Sequence, residues 1–136
     1  MTAPRRLHQA FDAWLRRDAG RPFLFLGDGE LSFADLGRQV DALQSEMLAQ
    51  RVRRGDRVLI VAENCPEHVA LILACRRIGA WSCGVNARMA PGEVAAFATQ
   101  ADARCTYYTT VVSAAAAAHA RAAGAQASGL PTLMRG

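Results

Sequence analysis

The chain has 136 residues, 51% of them hydrophobic and 21% charged, with a formal charge of +4 from 16 basic and 12 acidic residues. That is enough for one domain with a true core, and the ordinary composition excludes a disordered or collagenous chain. Every basic residue is an arginine, and many fall in separated pairs (Arg5-Arg6, Arg16-Arg17, Arg53-Arg54, Arg76-Arg77), which speaks against the dense basic patch with interleaved aromatics of a nucleic-acid binder.

Residues 5–18 have helical periodicity, with Leu7, Phe11, Trp14 and Leu15 on one face and Gly20 and Pro22 as terminators. Arg5-Arg6 is not followed by an apolar stretch, so no export signal is expected. Phe23 to Leu26 is a strand, and Asp28-Gly29 predicts a type I′ hairpin turn before a returning strand over Glu30–Phe33. Ser32 and Asp35 have the spacing of a capping box. The helix they start carries Leu36, Val40, Leu43 and Met47 and is expected to run to Gln50, after which Arg53–Asp56 turns the chain.

Arg57 to Ala62 is apolar without a break after its first residue and rich in β-branched residues, as suits a strand covered on both faces. Asn64 is placed to cap the next helix, with Pro66 in its first turn, Arg77 near its end and Gly79 as the residue beyond it. His68 is expected at the edge or in the core of that helix and His8 exposed on the first, while Trp14 and Trp81 are expected to pack. Val69 to Cys75 is apolar but too short to cross a bilayer before Arg76-Arg77. Ala80–Val85 is a strand, Pro91–Gln100 a short helix, Arg104–Thr109 a strand and Val111–Ala123 an alanine-rich helix.

The alternation of strands and helices predicts an α/β fold, a partial doubly wound parallel sheet with flanking helices, preceded by an N-terminal helix and β-hairpin. Residues 1–124 form the expected domain and 125–136 an expected flexible tail. The four cysteines (65, 75, 83 and 105) lack Cys-x-x-Cys spacing, and Cys65-x-x-His68 has no second pair, so reduced buried thiols in a cytoplasmic protein are expected, not a zinc site.

Several segments together resemble the AMP-forming acyl-CoA synthetases, or adenylate-forming ligases, in the order that family uses them. Leu31-Ser32-Phe33-Ala34-Asp35-Leu36 is similar to its T-Y-A-E-L, Gly55-Asp56-Arg57-Val58 to G-D-R-V, and Asn64-Cys65-Pro66-Glu67 to N-S-P-E. Gly79-Ala80 with Asn86 resembles G-A-V-x-x-P-L-N, Arg88–Glu93 resembles R-L-T-P-x-E, and Asp102-Ala103-Arg104 resembles D-S-G-A-R. The likeness spans about residues 8–110. It departs at Gly84, where proline is common, and at Ala90, where a capping threonine is usual; the helix from Pro91 is therefore expected to fray.

The resemblance implies activation of a carboxylic acid with ATP and magnesium to an acyl-adenylate, followed by thioester formation with coenzyme A. It also implies a glycine-rich loop ending in lysine. This sequence contains no lysine, and its nearest run, Ala127-Ser128-Gly129-Leu130-Pro131-Thr132, has one glycine and no basic residue. The expectation is a truncated N-terminal ligase segment, inactive alone, with no catalytic residue, no metal and no cofactor of its own. The alternative is a non-catalytic module that self-associates or docks to a partner chain completing the ligase domain. A lone small nucleotide-binding α/β domain is disfavoured, since neither G-x-G-x-x-G nor G-x-x-x-x-G-K-[ST] occurs. In an open parallel sheet ligands sit beyond the carboxyl ends of the strands, which points to Glu63-Asn64 and to Val85–Ala90. There Asn86 should brace its loop. The resemblance gives Arg88 a possible contact with the coenzyme A phosphates.

Overall fold

A computed structural model describes residues 5–136. Helix α1 (Leu7–Arg17) turns its one buried residue, Phe11, into an aromatic cluster with Phe23 and Phe33, at ring-centroid distances of 5.5 and 5.4 Å. Phe23 comes from β1 (Pro22–Leu26), which pairs antiparallel with β2 (Gly29–Ser32). Leu26 faces Gly29, so the two-residue turn is Gly27-Asp28, one residue earlier than expected. Neither residue takes the left-handed backbone that a type I′ turn needs.

The capping box forms as expected. The Asp35 amide donates to Ser32 Oγ (3.1 Å) and the Ser32 amide to Asp35 Oδ2 (2.9 Å), starting α2 (Phe33–Ala49). Leu36, Val40, Leu43 and Met47 are fully buried on one face of α2, each contributing roughly 1.5–3 kcal/mol of burial. Strand β3 (Arg57–Ala62) follows, then α3 (Pro66–Ile78), β4 (Trp81–Asn86), α4 (Pro91–Ala101), β5 (Cys105–Tyr108) and α5 (Ala114–Ala122).

With two short strands, β6 (Gln126–Ala127) and β7 (Met134–Arg135), the main sheet has the strand order β4-β3-β5-β7-β6. Strands β4 and β5 flank β3 and both run parallel to it. The apolar run of β3 divides as its pleat requires. Val58, Ile60 and Ala62 join the core formed with α1, α2 and α3, whereas Leu59 and Val61 join the core containing Val94 of α4 and Ala116 and Ala120 of α5. The doubly covered α/β sheet expected from the sequence is thus observed.

Further details differ from the sequence reading. Residues 125–136 carry two short strands, β6 (Gln126–Ala127) and β7 (Met134–Arg135), and β7 pairs antiparallel with β5. Trp81, expected to pack, is 58% exposed at the start of the edge strand β4, with the Arg76 guanidinium 5.4 Å from its ring centroid. His8, expected exposed, is half-buried.

Gly79 ends α3 as expected, with φ +86 and its amide donating to the carbonyls of Cys75 and Arg76. Arg57 ties the start of β3 to the end of α4, donating from Nε to the Ala101 carbonyl (2.8 Å) and from Nη2 to Asp102 Oδ2 (2.9 Å). That contact accounts for the arginine of the Gly55-Asp56-Arg57 turn and for Asp102, which caps α4 in a left-handed conformation.

Candidate functional site

Parallel strands β3, β4 and β5 end at Ala62, Asn86 and Tyr108. Beyond β3 and β4 lies an open groove of about 360 Å³, lined by residues that include Glu63, Asn64, His68, Asn86 and Arg88. Local chemistry shapes it. Asn86 Oδ1 accepts the Arg88 amide at 2.9 Å, the loop-bracing role expected of it. Asn64 does not cap α3; the cap position is Cys65 and no side chain bonds there, so Pro66 and Glu67 make the helix start. Ala90 offers no side-chain cap to α4, but its amide donates to Glu93 Oε2 at 2.9 Å, supplying half of a capping box.

Arg88 does not stand free. Its Nε donates to Glu63 Oε1 at 2.7 Å, while its side chain remains 77% exposed and its two Nη nitrogens have no partner among the described residues. The neighbouring Ser113 hydroxyl and the Arg88 guanidinium hold the Glu63 carboxyl below its ordinary range. The Glu63 amide in turn donates to the buried Thr109 hydroxyl at 3.2 Å. Glu63, Arg88 and Thr109 therefore join the ends of all three parallel strands.

His119 belongs to this site although its spacing gave no hint of it. From α5 its Nε2 reaches the carbonyl oxygens of Ala87 (3.0 Å) and Met89 (3.1 Å). Two acceptors require that nitrogen to carry the proton. His119 thus clamps the loop that carries Arg88. His68 faces Gly84 of β4, where an added Cβ would come within 3.3 Å of its Nε2. Burial lowers its pKa, which favours the neutral ring.

The Ala127–Thr132 run does cradle an anion, but the anion is internal. Ser128 Oγ donates to Glu46 Oε2 (2.7 Å) and the Gly129 amide to Glu46 Oε1 (3.1 Å). Tyr107 Oη and Arg135 Nε complete the set at 3.1 Å each. All four cysteines are free thiols, Cys75 and Cys105 buried. Among the described residues no group of three or more His, Cys, Asp or Glu side chains is placed to hold a metal ion. No helix among them is long and apolar enough to cross a membrane.

Residues 11–134 match the family model described as AMP-binding enzyme. Among curated proteins, a 3-hydroxybenzoate–CoA ligase of Aromatoleum sp. (strain CIB) is 36% identical over 76 residues, 56% of this chain and 14% of that protein. The fatty acid–[acyl-carrier-protein] ligase MmaC of Mycobacterium marinum is 31% identical over 71 residues, 52% of this chain and 13% of that one. The matched segments are thus small parts of much longer relatives. Among solved structures, the Klebsiella oxytoca NpsA N-terminal subdomain superposes with TM-score 0.65 and 26% identity, over 72% of this chain and 26% of that one. IdnL1 superposes with TM-score 0.68 at 20% identity, over 75% of this chain and 21% of its own, which shows a shared fold.

Proposed function

This chain belongs to the AMP-binding enzyme family, and on that premise we propose that it supplies the first α/β lobe of a carboxylic acid–CoA ligase without itself activating an acid. The observation that carries the reading is the family match across residues 11–134. The acid–CoA and acid–carrier-protein ligases among its relatives support the same role.

The residues around the carboxyl-end groove do not fit a nucleoside triphosphate. The carboxyl-end groove offers one guanidinium, already bonded to Glu63, and these 136 residues contain no lysine. Stabilising the charge of a triphosphate calls for several convergent cations and bare backbone amides. The Gly129 amide and Ser128 hydroxyl are spent on Glu46. No step of acid activation is therefore assigned to residues of this chain. In the assembled ligase the free Nη nitrogens of Arg88 would meet a coenzyme A phosphate, with Asn86 and His119 fixing the loop and Glu63 orienting the guanidinium.

A partner that completes the domain, or a second copy of the chain, is proposed to pack on the β4 edge. An open apolar groove lined by Cys83, Val85, Met89 and Phe97 lies beside that strand, and Phe97 is 43% exposed.

Two assays test the reading. The purified chain, given ATP, magnesium and a panel of aromatic and fatty acids, is expected to release no pyrophosphate above the blank. A chimera in which residues 11–134 replace the matched segment of a full-length aromatic acid–CoA ligase is expected to keep acid-dependent AMP formation. Pyrophosphate release by the chain alone would refute the inactive half of the proposal. A folded chimera with no activity would refute the ligase half.

A further inference from the structure

The arginine pairs scattered through the sequence are gathered by the fold. Arg5 and Arg6 before α1, Arg54 in the turn before β3, and Arg76 near the end of α3 line one open groove of about 500 Å³ together with Leu7, Gly55, Gly79 and Trp81. The groove lies at the amino ends of β3 and β4, since Gly55 and Gly79 stand two residues before those strands. It is thus at the opposite end of the sheet from Glu63 and Arg88.

The charge in this groove is uncompensated. Arg38, Arg57, Arg77, Arg88 and Arg135 each hold a carboxylate. Arg5, Arg6, Arg54 and Arg76 have no carboxylate within 4.0 Å among the described residues. Among the described residues no acidic side chain lines the groove. The nearest in sequence, Asp56, turns away to accept the Arg53 amide at 2.7 Å. The first turn of α1, whose positive end borders the groove at Leu7, also lacks an acidic residue. On the same wall Trp81 exposes its indole, with the Arg76 guanidinium over the ring.

We propose that this groove binds a nucleotide-sized phosphate ester, its phosphates held by Arg5, Arg6 and Arg54 and its planar base stacked on Trp81. Guanidinium groups suit phosphate oxygens because their planar donor forks match them in pairs. An exposed indole backed by a cation is a stacking platform that accepts any base. The volume suits one small ligand. The site is independent of the ligase reading, which concerns the other end of the sheet.

The test is titration of the full chain with ADP, inorganic pyrophosphate and adenosine, followed by NMR at the Trp81 indole N–H and at the Glu63 and Asn86 amides. ADP is expected to shift Trp81 and to bind more tightly than either part alone. Arg6→Glu and Arg54→Glu, both at exposed positions, are each expected to weaken ADP by about tenfold with unchanged far-UV circular dichroism. Absence of a Trp81 shift, pyrophosphate binding as tight as that of ADP, or indifference to both charge reversals would overturn the assignment. So would shifts confined to Glu63 and Asn86.

Discussion

Glu46 is where the C-terminal segment is fastened to the rest of the molecule, and its removal has a computable consequence. One carboxylate on α2 accepts from Tyr107, Ser128, Gly129 and Arg135 at 2.7–3.1 Å. Both members of the ion pair are largely buried, with side chains 14% exposed at Glu46 and 20% at Arg135. A hydrogen bond to a charged group contributes about 1.5–3 kcal/mol, and removing one member of a buried pair costs about 3–5 kcal/mol. The bonds share one acceptor group and do not add, so Glu46→Ala should cost about 3 kcal/mol. Glu46→Gln should cost about 1–2 kcal/mol, because its amide can still serve both hydroxyls. Urea denaturation gives the totals, and amide exchange locates the effect. Ser128 and Gly136, whose amides donate to Leu133 and Thr106, should lose protection before β3 does.

The same carboxylate carries a pH signature. Burial alone would raise the Glu46 pKa, but the bonds from Ser128, Gly129, Arg135 and Tyr107 outweigh it and hold the group below its ordinary 4.5. A folded-state pKa below the unfolded one gives stability that is complete above about pH 4.5 and lost as pH falls through the folded value. The stability gap between wild type and Glu46→Gln should therefore close on acidification. A cost below about 0.5 kcal/mol for Glu46→Ala, with unchanged exchange at Ser128 and Gly136, would refute the tether.

Three further perturbations follow from the packing. Arg77 donates to Asp12 (2.6 Å) and Asp41 (2.6 Å), binding α3 to α1 and α2, so Arg77→Ala should cost about 2–4 kcal/mol by urea denaturation and Arg77→Lys somewhat less. Gly79→Ala forces an L side chain to φ +86 and against Arg54 Cγ, 3.1 Å from the new Cβ, with an expected loss of about 1–2 kcal/mol in the same assay. His119→Ala leaves the Ala87 and Met89 carbonyls without their clamp and should cost about 1 kcal/mol, read most directly as faster exchange at the Arg88 and Met89 amides.

What the sequence revealed and what it hid divide by the range of the interaction. The Ser32–Asp35 box, the Gly79 terminus and the Asn86 brace each close over a few residues, and each forms as read. The doubly covered β3 was legible because burial on both faces leaves no polar position from Val58 to Ala62. Hidden were contacts between distant segments: His119 reaching Ala87 and Met89, Glu46 filling the Ser128–Gly129 loop, and arginines from three segments sharing one groove. The tail at 125–136 lacked periodicity because two-residue strands carry none; its order comes from Glu46 and from pairing with β5. Trp81 misled because an indole reads as core, whereas position 81 opens an edge strand.

That edge strand is also where association should occur. Among the described residues strand β4 is paired only with β3, so its other side presents unpaired backbone donors and acceptors. Opposite it the sheet ends in the two-residue β6, too short to template another strand. Cys83, Val85, Met89 and Phe97 give the β4 side an apolar wall, and no charged side chain on β4 itself blunts the edge. In the chain alone a second copy is the available cover, so mass should rise with concentration in size-exclusion chromatography with light scattering. Phe97→Glu, at a position 43% exposed, removes apolar area from this wall and sets a charge there at little cost to the fold, so it should restore the monomer. A wild-type chain that stays monomeric at about 100 μM, well into the range where weak edge contacts with Kd of about 10 μM would populate dimers, would show that the edge is not adhesive.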